Sequence, residues 1–454
     1  MAWECFLFDS LTGLVGEPVD VPSLSWSLTV SGATLETTAD TAEHDLGVAD
    51  ATGLRVPWEA IPGATRAARM RAVAPYRRGL CLAHDGVPVV AGLIGDRSDT
   101  WADTGFDLVS PMALLESRYL VREGAFGAVE GMTEVENPDE WQADKKGGYS
   151  EGAKVSHAGR RWESLADDNA DEPGTSDKWE DLGALYVSKR ATYTTDSVTL
   201  SGLSLRAIAC EVVRLCTEAK PGGTLPIDLP YLGEAGSHER TYGGFDASNL
   251  AGKGLLDELA GVEGGPDMQL RPYMADASHL RWSLVAGSDS EPLMLGPVPG
   301  YSLTWHPDGG TLDGLSVGWG APVMRVYGTG SGQDQGTICS LAEDMALVTR
   351  PDPWPVIEAT MGDSSWDSAQ LVAQHAAAGL SRPRCQLRGT VSASDAAHSV
   401  RPGLAWPGEP VRVIVDGYPS LPDGAYDLRL MEMSGTLGDS VSLTFDVMDD
   451  PWEG

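Results

Sequence analysis

The residues of this chain best suited to do chemistry are aromatic, and the chemistry is recognition. Trp141, Tyr149, Trp162 and Trp179 fall within about forty residues, punctuated by Gly148, Gly152, Gly159, Pro173 and Gly174. Planar rings held side by side can stack on the apolar faces of sugar rings while neighbouring polar groups bond the hydroxyls. All four are candidate carbohydrate-binding residues. The same rings are also the only large apolar groups from which so short a unit could build a core without disulfides. Trp141, Tyr149 and Trp179 are expected inside, and Trp162 is open to either role.

Other constellations are weaker. The histidines (His44, His84, His157, His238, His279, His306, His375 and His398) show no HxxxH, HExxH or His-x-His spacing. No metal site or cofactor is therefore expected. There is no GxSxG elbow, and Gly328-Thr-Gly-Ser-Gly332 lacks the Lys-Ser/Thr of a phosphate loop, so it reads as a turn. Asp107 and Glu116 are a pair that chance supplies, and Asp257 and Glu258 are expected to face solvent. Nothing singles out the two carboxylates that glycoside hydrolysis requires. The chain is expected not to be an enzyme.

Composition narrows the partners. The net charge of −34, from 66 acids against 32 bases in 454 residues, disfavours nucleic acid or an anionic membrane as a bound partner. Cys5, Cys81, Cys210, Cys216, Cys339 and Cys385 form no CxxC pair and are expected as buried free thiols. The N-terminus lacks the basic start and apolar stretch of a secretory signal, and no apolar run reaches the length of a membrane span. Folding in a cytoplasm is the expectation.

The elements that must position these residues are mostly strands. Residues 3–8 and the alternation Leu24, Trp26, Leu28, Val30 read as strands, and Asp85-Gly86 marks a hairpin. A short helix, Met112 to Tyr119, closes the first β region. Residues 134–183 shift in composition, holding four of the chain's seven lysines and 14 acids against 6 bases, which marks an inserted unit. Strands resume at Leu185 to Val187 and Ala191 to Leu200.

Helices are expected over 205–216, over 250–262 with Asp246 or Ser248 as cap, and over 365–380. Short strands are expected at 268–271, 280–285 and 324–328. The last seventy residues alternate most cleanly, at Val411/Val413/Val415, Tyr426/Leu428/Leu430 and Val441/Leu443/Phe445/Val447. The fold class is a multidomain β-rich α+β protein: β-barrel-like domains at both ends, a mixed α/β centre and a small β insert.

Two resemblances attach to these patterns. Trp141, Tyr149/Gly152/Val155, Gly159/Trp162, Pro173/Gly174 and Trp179/Leu182/Gly183 resemble the chitin-binding carbohydrate-binding modules of families 5 and 12. Where those modules carry exposed stacking aromatics, this chain has Ala166-Asp167-Asp168-Asn169. The rest is similar to the tail-hub (tail-associated) minor tail proteins of long-tailed actinobacterial phages. That likeness rests on Gly105-Phe-Asp-Leu-Val-Ser-Pro-Met112, Gly264-Gly-Pro-Asp-Met-Gln-Leu-Arg-Pro272 and Arg325-Val-Tyr-Gly-Thr-Gly-Ser-Gly332. The helix over 365–380, Trp406-Pro-Gly-Glu-Pro-Val-Arg-Val413 and Leu421-Pro-Asp-Gly424 follow in the same order.

The second resemblance implies a trimeric baseplate hub in the virion, assembled in the bacterial host cytoplasm. Its domains would be 1–125 (N-terminal barrel), 134–183 (insert), 184–300 and 301–382 (centre) and 383–454 (C-terminal barrel). Implied partners are its own copies, a hexameric distal tail protein, other minor tail proteins, the tape measure protein and, through the insert, a host cell-wall glycan. Genome DNA would pass through unbound, an acidic lumen giving it little to adhere to. Interfaces are expected at the strands around Val411–Val415, Val441–Val447, Phe6–Phe8 and Trp26. The alternatives are a secreted or cell-wall carbohydrate-binding or hydrolytic protein and a contractile injection-system hub.

Overall fold

The computed structural model describes residues 3–21, 23–30, 32–36, 53–121, 137–185, 195–220, 223–262, 264–294, 300–395 and 400–452. It divides into two compact units, Met1–Leu24 with Ser31–Met294, and Ser25–Val30 with Leu295–Gly454. Strands dominate both, as the expected β-rich multidomain class requires.

In the first unit, six antiparallel strands lie in the order Val15–Pro18, Trp3–Asp9, Arg78–His84, Val87–Asp99, Asp103–Val109 and Leu54–Pro57. Asp85 and Gly86, at φ of 51° and 77°, make the two-residue turn that their types favour. Phe8 crosses so closely over Gly79 that a Cβ there would lie 2.0 Å from its ring. This packing carries Phe8 to Trp282, with centroids 5.4 Å apart in edge-to-face contact. Trp282 sits in Leu280–Ala286, the middle of a three-stranded sheet with Ile227–Asp228 and Met268–Met274.

Two helices complete this core. Leu205–Cys216 starts where the Ser204 side chain accepts from Ala207 N–H, and it buries Leu205, Ile208, Ala209, Val212, Val213 and Cys216 on one face. Gly252–Gly261 buries Leu255, Leu256 and Leu259. Neither Asp246 nor Ser248 caps it. They belong to a preceding 3-10 segment, Gly244–Asn249, and Ala251 occupies the cap position without a side-chain bond. The helix expected over Met112 to Tyr119 is shorter, Pro111–Glu116, with Ser110 accepting from Met112 N–H. The strand expected at Leu185 to Val187 and the start of that at Ala191 to Leu200 lie largely outside the described residues.

Asp9 holds the opening turn. Its carboxylate accepts from Leu11 and Thr12 N–H at 3.0 and 3.1 Å, from Arg77 and, at 2.8 Å, from Arg78. Burial alone would raise its pKa, but the Arg77 guanidinium and the two amides outweigh it and hold the carboxyl below its ordinary value. A depressed folded value stabilises the fold above the unfolded carboxyl range, about 4, and this is lost as pH falls through the folded value. Asp9→Asn is therefore expected to lower stability by about 1–3 kcal/mol at neutral pH. It should also flatten the acid limb of a thermal-midpoint-versus-pH curve.

In the second unit the sheet runs Tyr301–Trp305, Pro410–Val415, Gly424–Thr436, Ser440–Asp449, Arg384–Ser392 and Asp313–Gly320. Strand Ser25–Thr29, which the alternation reading assigns to the first β region, joins this sheet instead. It pairs antiparallel with residues 432–436, Trp26 opposite Gly435. Trp26 is 1% exposed, its Nε1–H donating to the Thr436 carbonyl at 3.1 Å. A Cβ on Gly435 would stand 3.1 Å from the Trp26 ring. A smaller sheet, Cys339–Glu343, Arg325–Thr329 and Glu358–Gly362, is packed on by helix Ala369–Ala378, which starts at Ser368.

Candidate functional site

The insert is a three-stranded sheet of Lys154–His157, Arg160–Ser164 and Trp179–Ala184 around a core of Tyr149, Val155 and Trp179. Tyr149 and Trp179 are 5% and 6% exposed and meet edge to face, centroids 5.6 Å apart. The Tyr149 hydroxyl accepts from Gln142 N–H at 2.8 Å, and Trp179 Nε1–H donates to the Asp171 carbonyl at 2.9 Å. Lys145 Nζ stands 3.9 Å from the Tyr149 ring centroid. These two candidate residues hold the module together, and their faces are withdrawn from solvent.

Trp162 packs against that core only half-buried, and so does Trp141, expected inside. Trp162 Nε1–H donates to the His157 carbonyl at 3.3 Å, and the Trp141 ring meets the His157 ring edge to face at 5.3 Å. The His157 imidazole in turn reaches Glu172 at 3.0 Å. Beside the strands, Asn169 ties Ser164 to the Lys178 carbonyl. It stands in the Ala166–Asn169 stretch where the resembled modules carry stacking aromatics. Of the four candidate rings, only Trp141 and Trp162 retain any face that a ligand could reach.

Metal-ligand and nucleophile chemistry are the other sequence candidates among the described residues. No group of three or more His, Cys, Asp or Glu stands close enough to hold a metal ion. Asp257 and Glu258 face solvent, and Asp257 pairs with Lys253 at 2.8 Å. Five thiols are buried, with Cys5 pushed up to about 12 and Cys210 to about 11 by desolvation, so none is primed as a nucleophile. Cys339, expected inside, is exposed: it faces away from helix Ala369–Ala378 on the open side of its sheet.

The expected interface strands are interior. Pro410–Val415 is bonded on both sides, Ser440–Asp449 likewise, and Trp3–Asp9 lies between two neighbours. Val411, Val413 and Phe445 are fully buried, as is Trp26. The alternation that marks a half-buried strand is the same for interior and edge strands, so sequence gives no signal for the difference. The path through the large sheet of the second unit ends at Tyr301–Trp305 and Asp313–Gly320. The first is met on its outer side by residues 311 and 312, through Leu312 N–H to the Thr304 carbonyl at 3.0 Å and Thr304 N–H to Thr311 Oγ1 at 2.9 Å.

No protein-family model and no curated protein matches the sequence. Among solved structures, the chain is similar to a tail protein from Neisseria meningitidis MC58, at 11% identity and a TM-score of 0.39, covering 98% of this chain and 96% of that one. It is also similar to the 43 kDa tail protein of prophage MuSo2 from Shewanella oneidensis, at 10% identity and a TM-score of 0.42, covering 98% of each. A prophage tail protein from Listeria monocytogenes EGD-e matches at 9% identity and a TM-score of 0.35, covering 97% and 94%.

Proposed function

We propose that the chain is a structural virion protein, a homotrimeric tail hub that closes the phage tail tube and joins a hexameric distal tail ring to the host-recognition parts. The observation that supports this most is that a strand from the first β region, Ser25–Thr29, adds to the large C-terminal sheet. The motifs resembling tail hubs also fall on element boundaries. Gly105 to Met112 joins a strand to the Ser110-capped helix, Gly264 to Pro272 leads into Met268–Met274, and Leu421 to Gly424 turns into Gly424–Thr436. Negative-stain images of the purified chain should show three-membered rings, and a stable monomer at every concentration would count against the reading.

In this reading the divisions 1–125, 134–183, 184–300, 301–382 and 383–454 are kept with one change, strands Ser25–Thr29, Tyr301–Trp305 and Asp313–Gly320 being counted with the C-terminal sheet they join. Other minor tail proteins and the tape measure protein are neighbours, and genome DNA passes without being bound. The insert carries a second function, a grip on host cell-wall glycan, favoured by the half-buried Trp162. Trp162→Ala is expected to reduce retention on chitin or host wall about tenfold or more, one stacking ring being worth roughly 1–2 kcal/mol. Amide exchange should show the module still folded. Unchanged retention would remove Trp162 as the contact.

A further inference from the structure

Strand Asp313–Gly320 has an unpaired outer edge and, on the sheet face beside it, a groove that neither the insert nor the hub reading uses. This strand pairs with Arg384–Ser392 on one side only, and residues 316–320 make no backbone hydrogen bond on the other among the described residues. Natural edge strands are commonly blunted by lysine or proline. Ser316-Val-Gly-Trp-Gly320 contains neither.

The register builds the groove. Ser316 lies opposite Arg388, Gly318 opposite Gln386 and Gly320 opposite Arg384, while Val447 lies opposite Gln386 on the next strand. Opposed residues share one face of a sheet. The missing side chain of Gly318 leaves backbone bare there, and the Arg384 side chain lies over Gly320, 3.2 Å from where its Cβ would stand. The result is a cleft of about 410 Å³ walled by Arg384, Gln386, Arg388 and Val447. Val447 is 48% exposed.

The charge of this trough opposes that of the chain. Arg388 donates to the Gln386 amide oxygen at 3.2 Å, and Asp449 faces Arg384 across the ladder without closing an ion pair. Neither guanidinium has a carboxylate within 4.0 Å among the described residues. In a chain with 66 acids against 32 bases, two unneutralised guanidiniums beside the exposed Val447 side chain form a local site for negative charge.

We propose that this edge binds an extended, carboxylate-bearing segment of a partner protein, added to the sheet as a further strand. The open backbone of Ser316–Gly320 supplies the hydrogen bonds of strand addition. Over Gly318, where no side chain stands, an inward-facing side chain of the added strand can lie toward Gln386. Arg384 and Arg388, four residues apart on one strand and so about 13 Å apart, receive carboxylates at the same spacing. The site stands independently of the hub reading.

The test uses the full chain and a labelled acetylated nonapeptide, Thr-Val-Asp-Val-Thr-Val-Asp-Val-Thr, read by fluorescence anisotropy. Saturable binding is expected, weakened about tenfold or more when both Asp are replaced by Asn or in the double variant R384Q/R388Q. Gly318→Val, whose added side chain projects into open space and should leave the fold intact, is expected to abolish it by filling the trough. The proposal is overturned if the Asn peptide binds equally well, or if R384Q/R388Q leaves binding unchanged. It is also overturned if Gly318→Val instead dissolves a self-association of the chain, which would make the occupant a second copy.

Discussion

Trp26→Ala is expected to unfold the second unit selectively, lowering its stability by about 3–5 kcal/mol. The side chain is 1% exposed, bonds the Thr436 carbonyl and packs on Gly435, so its removal leaves a cavity and a carbonyl without its donor. The effect should reach beyond the substituted strand. Residues 432–436 are paired with Ser25–Thr29 on one side and with Ser440–Asp449 on the other. Hydrogen exchange should therefore show loss of protection in 424–449, while Arg78–His84 of the first unit keeps its own. Equal loss in both units, or in neither, would contradict the assignment of this strand to the C-terminal sheet.

Trp179→Ala should collapse the insert and little else. The module has three buried hydrophobic residues, Tyr149, Val155 and Trp179, and no cysteine to staple it. A loss of about 3–5 kcal/mol exceeds what a core of that size supplies. Limited proteolysis is expected to cut within 141–179 in the variant and not in the parent chain, with the thermal transition of the remainder unchanged. The contrast with Trp162→Ala separates the two roles open to these rings. Loss of fold follows from Trp179, and loss of retention without loss of fold follows from Trp162.

Periodicity carried most of the fold. The apolar face of Leu205–Cys216, the Asp85-Gly86 turn and the alternation of Ser440–Asp449 are local signals, and each became the element its spacing requires. What stayed hidden depends on contacts distant in sequence. Leu24, Trp26 and Leu28 alternate in the same way whichever sheet they enter, so nothing local shows that Trp26 meets Gly435, some four hundred residues later. The same limit hides that Val411–Val415 and Val441–Val447 lie on strands bonded on both sides, where only outward-facing residues such as Ile414 and Val447 stay exposed.

In the insert, the inward placing of Tyr149 and Trp179 was legible because a unit so short has no other core. The groove beside Gly318 was not legible. Its guanidiniums come from a strand some seventy residues later.

Native mass spectrometry of the full chain mixed with hexameric distal tail protein tests the tail-hub assignment most directly. The assignment requires one dominant complex carrying three copies of the 48.0 kDa chain per hexamer, about 144 kDa added. A hexamer that remains free beside a 48.0 kDa monomer, at concentrations well above those of assembly, would contradict it.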